Sequence, residues 1–419
     1  MKKPFYGYIL VVYSFLICFL AASFFLHARG VFFPYWMADF QVDRAELSLA
    51  VSLTLFTGSL CAPITGYMID RFPLRNIITV ASIWLACGYL MMQFVDSYVW
   101  LLLVLIPFQG IGWTGVGPLV HTKLMVNWFS RHRGKALGIA IMGISVAGVL
   151  VPPVNAWLAQ TIGWRDAYLL YAGLALAIVP ITWLLVRQKP EDIGQTVDGL
   201  PETDAATVSP AIQTGAQQEQ QSTWHTYREF LTSSAFWSVV LTFGLMNGVY
   251  SAMATHLPTY ITTELNFTLS DGAWLLSFAG LFAIGGKVVF GWMMDNLSAK
   301  LTVMAGVVAY IGSTIALMAA SEFAYLLVAA ALFGLGFGGM IPVRSVVISR
   351  LFGAAKFSRV NGLLSFFLAP ATFWVAITGF IADAADSYVP AFQIWCGAFI
   401  LAGIVSLIVK LPDRQDAVA

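Results

Sequence analysis

Long runs of apolar residues, broken by short polar joins, recur along the whole chain. Twelve are long enough to cross a membrane: about 6–36, 46–69, 76–94, 99–127, 135–160, 166–186, 234–263, 271–294, 300–320, 323–349, 359–382 and 388–410. A spanning helix needs roughly 20 mostly apolar residues. None of the runs shows the ten-residue alternation of an outer-membrane barrel. In hydrocarbon each backbone group must find its partner inside the segment, so every span is predicted to be an α-helix. The first span follows Lys2 and Lys3 directly, is too long for a signal-peptide core and lacks a cleavage site, so it is expected to be retained.

One stretch breaks the pattern. Residues 190–223 are polar, rich in Gln, Thr and Ala and almost free of aromatics, which predicts a disordered linker between six spans and six. The following HTYREFLTSSAFW is expected to run along the membrane surface into the seventh span. The organisation expected is therefore 1–189, a first six-helix bundle; 190–228, a cytoplasmic linker; 229–412, a second bundle; and 413–419, a cytoplasmic tail.

The halves also repeat. GYMIDRFPLR, Gly66 to Arg75, follows span two, and GWMMDNLSAK, Gly291 to Lys300, follows span eight. Both fit G-x3-D-x4-[RK]. GIGWTGVG in span four and GLGFGG in span ten lie at almost the same offset, and Pro34 and Pro258 match near the ends of spans one and seven. Internal symmetry of this kind marks transporter folds. The fold class expected is an all-α membrane protein with twelve transmembrane helices in two pseudo-symmetric six-helix bundles.

Charge adds orientation. The chain is 59% hydrophobic and 10% charged; a soluble chain carries about 25% charged residues. Of its 22 Lys and Arg residues, Lys2, Lys3, Arg71, Arg75, Arg131, Arg133, Lys135, Arg187, Lys189, Arg228, Lys300, Arg350, Lys356, Arg359, Lys410 and Arg414 share one side of the predicted topology. Only Arg44 and Arg165 fall in loops on the other side, which is acidic instead, with Asp43, Glu46, Asp96, Asp271, Glu322, Asp383 and Asp386. The positive-inside rule then places both termini in the cytoplasm of a multi-pass cell-membrane protein, as in a bacterial inner membrane. Cys18, Cys61, Cys87 and Cys396 each sit in an apolar span without CxxC spacing, so each is expected to be a small buried apolar residue.

The remaining four basic residues, Arg29, Lys123, Lys287 and Arg344, lie within apolar runs with no acid nearby in sequence. His27, His121 and His256 lie in similar places. A charge in hydrocarbon is kept only with a partner or a function. Where the chain offers no acid, the simplest partner is an anion that comes and goes. Lys287 has Gly285 and Gly286 before it, leaving room, and stands eight residues from Asp295, about 12 Å along a helix. Substrate contact is the leading reading for Lys287, ahead of snorkelling. For Arg344, six residues from Arg350, the two readings balance. Lys123 reads as an interface or gate residue, and Arg29 as either a pore residue or a structural contact to backbone carbonyls. Histidine is the natural proton carrier where carboxylates are absent. His27 and Arg29 stand roughly 200° apart around a helix, so they do not both face the centre. His121 and Arg344 hold near-equivalent places in spans four and ten and are expected to face one cavity, while His256 would line an outer vestibule. Phe32 and Phe33 would shape the outer cavity; Tyr35 and Trp36 fit an interfacial belt better.

GYMIDRFPLR closely resembles the signature loop between helices two and three of the major facilitator superfamily. That resemblance implies a gate built on Gly66, Asp70, Arg71 and Arg75, with a weaker copy at Gly291, Asp295 and Lys300. Gly66 would let helices approach closely, and Asp70 would pair with Arg71, Arg75 or a neighbouring helix. Within the superfamily the chain is similar to the monocarboxylate transporter group and its bacterial relatives. The residues concerned are FYGYILV, GVFF at Gly30–Phe33, WFSRHRGKALGIAIMGISVAGVLVPP at Trp128–Pro153, GWRDAY at Gly163–Tyr168 and PEDIG at Pro190–Gly194. The resemblance implies import or export of short carboxylates such as lactate or pyruvate, usually with a proton; the protein is expected to work as a monomer. In that group a basic residue sits four positions before the glycine of the inner motif, here Lys287. An acid or amide often sits four residues earlier, here Ala283, and a helix-one lysine of animal members corresponds to His27.

The function expected is thus a secondary transporter for a small organic anion, most simply a monocarboxylate with a proton, working by alternating access. The candidate substrate contacts are Lys287, Arg344, Arg29, His27 and His121, and the candidate proton carriers His27, His121 and His256. An oxalate/formate-type exchanger stays open, although that group places a Lys on span eleven and Leu363–Ile381 carries no charge. An exporter of larger amphiphiles shares the fold expectation. A ligand sensor would need a signalling domain for which linker and tail are too short. Nothing resembles a nucleotide loop, metal cluster, catalytic triad or nucleic-acid surface, so no enzyme activity, cofactor or nucleic-acid partner is expected.

Overall fold

A computed structural model describes residues 5–199, 223–352 and 357–408. The predicted tail, 413–419, lies outside them. Twelve helices are long and apolar enough to span a membrane: α1 Gly7–Phe40, α2 Arg44–Arg71, α3 Leu74–Phe94, α4 Tyr98–Trp128, α5 Arg133–Thr161, α6 Gly163–Leu185, α7 Ser234–Thr263, α8 Leu269–Asn296, α9 Ala299–Met318, α10 Phe323–Phe352, α11 Val360–Ala385 and α12 Val389–Ile408. No strand occurs among the described residues. The apolar runs set where helices form, and local chemistry sets where they end. Gln41 closes α1 in the left-handed region at φ 51°. At the start of α8 the Thr268 hydroxyl accepts from the Asp271 amide at 3.2 Å, and Asp271 accepts from the Thr268 amide at 2.9 Å, a reciprocal cap.

Helices α1–α6 pack on one another, chiefly α1 on α5 and α3 on α6. Helices α7–α12 do the same, chiefly α8 on α10 and α9 on α10 and α12. The two groups meet through α5 with α8, α2 with α11, and the second half of α1 with α7. Small residues allow this. A Cβ on Gly280 would lie 2.8 Å from the Gly148 carbonyl of α5, and one on Gly286 would lie 2.5 Å from the Leu335 carbonyl of α10. Gly334 and Gly338 of α10 press still closer, onto the Ala279 and Ala283 carbonyls of α8. Gly286 therefore serves packing rather than leaving room beside Lys287.

Two spans expected to be continuous are not regular. Helix α1 runs over Gly7–Phe25, breaks at Leu26–Ala28 and resumes at Arg29–Phe40. Helix α4 is α-helical over Tyr98–Val104, π-helical over Leu105–Ile111, and broken again where Gly117 adopts an extended conformation before Pro118. Irregular backbone at membrane depth is tolerated only where protein or a cavity satisfies it.

The linker also departs from expectation. Its first part, Pro190–Ile193 and Val197–Gly199, is folded against the first bundle. Asp198 accepts from the Ser130 and Arg131 amides at 3.0 and 2.6 Å, and Gln195 Oε1 accepts from the Tyr6 amide at 2.9 Å. These partners lie far apart in sequence, which is why composition alone predicted disorder. The rest of the linker, 200–222, lies outside the described residues. A helix over Thr223–Thr232 then leads into α7, held by Phe230 against Phe352 at 5.5 Å.

Candidate functional site

The two faces of the bundle are named here by what they carry. The terminal face carries the Asp70–Arg75 loop and the start of the linker; the distal face lies opposite.

Arg29 begins the second half of α1, directly after the break. It is 4% exposed, and its Nε and Nη1 have no hydrogen-bond partner. No acid faces it. The guanidinium lies 4.6 Å from the centre of the Phe25 ring, which stacks on Trp113 of α4 at 4.7 Å. The Tyr89, Tyr168 and Tyr250 phenols lie within electrostatic reach of it. Neither Nε nor Nη1 donates to a backbone carbonyl, the contact that one of the two readings of Arg29 calls for. The arrangement is a buried cation in an aromatic box with hydrogen-bonding capacity unspent.

Lys287 of α8 reaches across the join between the bundles, where its ammonium donates to the Ser145 hydroxyl of α5. It neither snorkels to an end of the helix nor meets an acid. His27, in the break of α1, faces Gly148, one turn beyond Ser145 on α5; a Cβ there would lie 3.1 Å from the ring. His27 Nε2 is sealed without a partner, and its carbonyl accepts from Asn155 at 3.2 Å. The fold thus brings Lys287 and His27 to adjacent positions along α5. Ser145 and Gly148 are three residues apart, about 4.5 Å of helix rise. Arg344 of α10 is half-buried, with Nε sealed and unpartnered.

His121 does not share a described contact with Arg344. It is fully buried within the first bundle, with Nδ1 3.0 Å from the Ser14 hydroxyl of α1 and its ring 5.7 Å from that of Tyr13. His256 of α7 lines no open vestibule either. It is 1% exposed in the closed distal seam, where Nε2 lies 3.0 Å from the Val375 carbonyl of α11 and 3.2 Å from the Ser48 hydroxyl of α2. Nδ1 lies 3.0 Å from the Tyr388 hydroxyl. The carbonyl only accepts, and Ser48 already donates to the Arg44 carbonyl at 2.5 Å, so Nε2 carries the proton and Nδ1 accepts from Tyr388. Burial pushes the Tyr388 phenol up, which keeps it a donor.

Further contacts seal the same seam. Asp383 of α11 accepts from the Ala45 amide of α2 at 2.6 Å and lies 3.9 Å from Arg44 Nε. The Ala376 amide of α11 donates to the Ser52 hydroxyl of α2 at 3.0 Å. Gly30 of α1 abuts the Ala254 carbonyl of α7. The closed side is the distal one.

The loop motif at the terminal face corrects several expectations. Lys123, read as having no acid, pairs with Asp70 at 2.8 Å across α2 and α4. Sequence distance hid the pair. Arg71 instead covers the Tyr67 ring at 4.5 Å, and Arg75 donates to the Val186 carbonyl at 2.6 Å. Gly66 and Gly291 make no close helix approach: a Cβ on either would meet nothing within 4 Å. Lys300 donates to the Leu407 carbonyl at 3.2 Å, and Asp295 lies in the last turn of α8, five residues earlier. Trp36, placed in a belt, is fully buried against Tyr168 and Trp164. Cys18 is buried, whereas Cys87 is exposed and Cys61 and Cys396 are intermediate.

Sequence reasoning missed Tyr89, Gln109, Tyr168 and Ser145, polar residues within apolar runs that carry no charge to mark them. It also missed the Arg44–Asp383 pair, although both residues stood out as distal charges. Among the described residues no group of His, Cys, Asp and Glu is placed to hold a metal ion.

Comparison with known proteins agrees with this architecture. A monocarboxylate transporter 13 from Rattus norvegicus is 25% identical over 395 residues, covering 92% of this chain and 85% of that protein. A probable L-galactonate transporter of Escherichia coli is 25% identical over 358 residues, covering 82% and 76%. Among solved structures, a bacterial homologue of the human lysosomal transporter Spinster, inward-facing and unoccupied, superposes with a TM-score of 0.71 at 16% identity, over 97% of this chain and 96% of that one. The proton:xylose symporter XylE gives 0.70 at 15% identity, over 97% of both. The Major Facilitator Superfamily model matches residues 14–321 and 260–417, nearly the full length, and the chain belongs to that superfamily of membrane transporters.

Proposed function

We propose that this transporter carries a small organic anion, a monocarboxylate together with a proton, by alternating access, as a monomer with the terminal face in the cytoplasm. One observation carries the reading. Among the described residues three ion pairs occur, Arg44–Asp383, Lys123–Asp70 and Arg165–Asp39, and all use carboxylates near the ends of spans. Arg29, Lys287 and Arg344 have no such partner. Each costs about 3 kcal/mol to hold at mid-membrane, and an anionic cargo offsets that cost while it is bound.

The relatives named as transporters of monocarboxylates and of L-galactonate support an acid as cargo. In this reading the carboxylate bridges Lys287 and Arg29, and Arg344 adds positive potential. His27 carries the proton, since it stands beside Lys287 along α5; His121 also keeps a free Nε2 but is buried within the first bundle, and His256 is engaged at both ring nitrogens. The distal seam and the loop pairs around Asp70, Arg71, Arg75, Asp295 and Lys300 are the two gates.

Uptake of labelled short carboxylates into proteoliposomes, with and without an imposed pH gradient, tests this. Acid-outside gradients should drive accumulation. Lys287→Ala should abolish it, and Lys287→Arg should retain part, since the charge survives while the geometry changes. Normal transport by Lys287→Ala would refute the site. Uptake that ignores the gradient but responds to anions loaded inside would replace symport with exchange.

A further inference from the structure

The irregular stretches of α1 and α4 flank a cluster of buried polar side chains beside Arg29 that holds more unspent hydrogen-bonding capacity than a short acid can use. Gln109 lies in the π-helical stretch of α4, is fully buried, and has both Oε1 and Nε2 unpartnered. The fully buried hydroxyls of Tyr89 on α3 and Tyr168 on α6 are likewise unpartnered, as is Trp36 Nε1. These groups are neighbours. The Tyr89 and Tyr168 rings are 5.7 Å apart, and Trp36 stacks on Tyr168 at 6.2 Å. Gln109 faces the Tyr168 hydroxyl without closing a hydrogen bond of normal geometry. Tyr250 of α7, on the second bundle, also lies within electrostatic reach of Arg29.

Beyond the guanidinium this makes five unmatched polar atoms: Trp36 Nε1, Tyr89 Oη, Tyr168 Oη and the two of Gln109. Four of them can donate and three can accept. A buried polar group without a partner is costly, and a hydroxyl offers one donor and two acceptor sites. A single α-hydroxyl therefore meets at most three of the five, and an unsubstituted acid, whose carboxylate oxygens only accept and are largely taken up by Arg29, leaves at least Gln109 Oε1 unmet. A chain of several hydroxyls can meet them all. A π-helical turn in a spanning helix frequently marks a functional site, and here it is the element that delivers Gln109.

We propose that Gln109, Tyr89 and Tyr168 are specificity-determining residues that read hydroxyl groups, and that they select a polyhydroxylated monocarboxylate, an aldonic-acid-type chain, over acids with one hydroxyl or none. This rests on the reading of Arg29 as a carboxylate seat. The carboxylate docks at Arg29 and the hydroxylated chain extends among the phenols and the carboxamide. A site built to bind hydroxyls rejects analogues that lack them, because its own groups are then left unpaired.

The test compares uptake of labelled gluconate, lactate and propionate in proteoliposomes by wild type, Tyr168→Phe, Gln109→Met and Arg29→Gln. Wild type should favour gluconate over propionate by about 100-fold or more in kcat/KM. Tyr168→Phe removes one oxygen and keeps the ring; it should cut that preference about tenfold, because the KM for gluconate rises more than the KM for propionate, with the melting temperature in detergent unchanged. Gln109→Met should act in the same direction. If wild type moves propionate as well as gluconate, or if both variants lower all three substrates equally, the hydroxyl reading is overturned while the anion seat stands. If instead Arg29→Gln leaves uptake of all three acids at the wild-type level, the carboxylate seat itself is overturned.

Discussion

The distal seam predicts its own failure when Asp383 is truncated. In Asp383→Ala the Ala45 amide loses an ionised acceptor at 2.6 Å, and Arg44 loses a carboxylate at 3.9 Å. A hydrogen bond to a charged group contributes about 1.5–3 kcal/mol. The ion pair is partly exposed, with side chains 13% and 26% accessible, and adds no more than about 1 kcal/mol. Together about 2 kcal/mol of distal closure is lost, which moves the closed-to-open ratio roughly 30-fold toward open. Nitroxide labels at Asp96→Cys and Glu322→Cys, exposed distal loop positions on the two bundles, would report the shift by pulsed electron spin resonance. The background needs Cys18, Cys61, Cys87 and Cys396 replaced. Wild type should give mainly the short distance, and Asp383→Ala a dominant longer one. Asp383→Asn keeps an oxygen for the Ala45 amide and loses only the charge, so its shift should stay at about fivefold, well short of that of Asp383→Ala. Identical distance distributions in wild type and Asp383→Ala would refute the assignment of this contact as a latch.

Two more outcomes follow from packing and polar satisfaction. Gly338→Val drives a side chain into the Ala283 carbonyl and should lower stability by about 1–3 kcal/mol, read as a fall in melting temperature in detergent, whereas Gly285→Ala, which meets open space, should not. His256→Phe keeps the ring but leaves the Tyr388 hydroxyl and the Val375 carbonyl buried without their partner, so the same label pair should show more distal opening, with His256→Gln partly restoring closure.

Much of this protein was legible in one dimension. Twelve spans, the six-plus-six division, the duplicated loop and the sidedness of charge follow from composition and period alone. Hydrophobic transfer and the demand for internal backbone pairing act on each segment by itself, and neither needs to know its neighbours. Arg29, Lys287 and Arg344 also stood out, because a cation in an apolar run is conspicuous wherever it folds. What the sequence left open is who faces whom. Lys123 meets Asp70 from 53 positions away and the Ala45 amide meets Asp383 from 338, distances over which no local pattern carries information. The break at Leu26–Ala28, the π-helical turn that presents Gln109, and the phenols around Arg29 belong to the same class. Each is decided by packing among helices, since whether a buried polar atom is satisfied depends on the surface opposite it and not on the residues beside it in the chain.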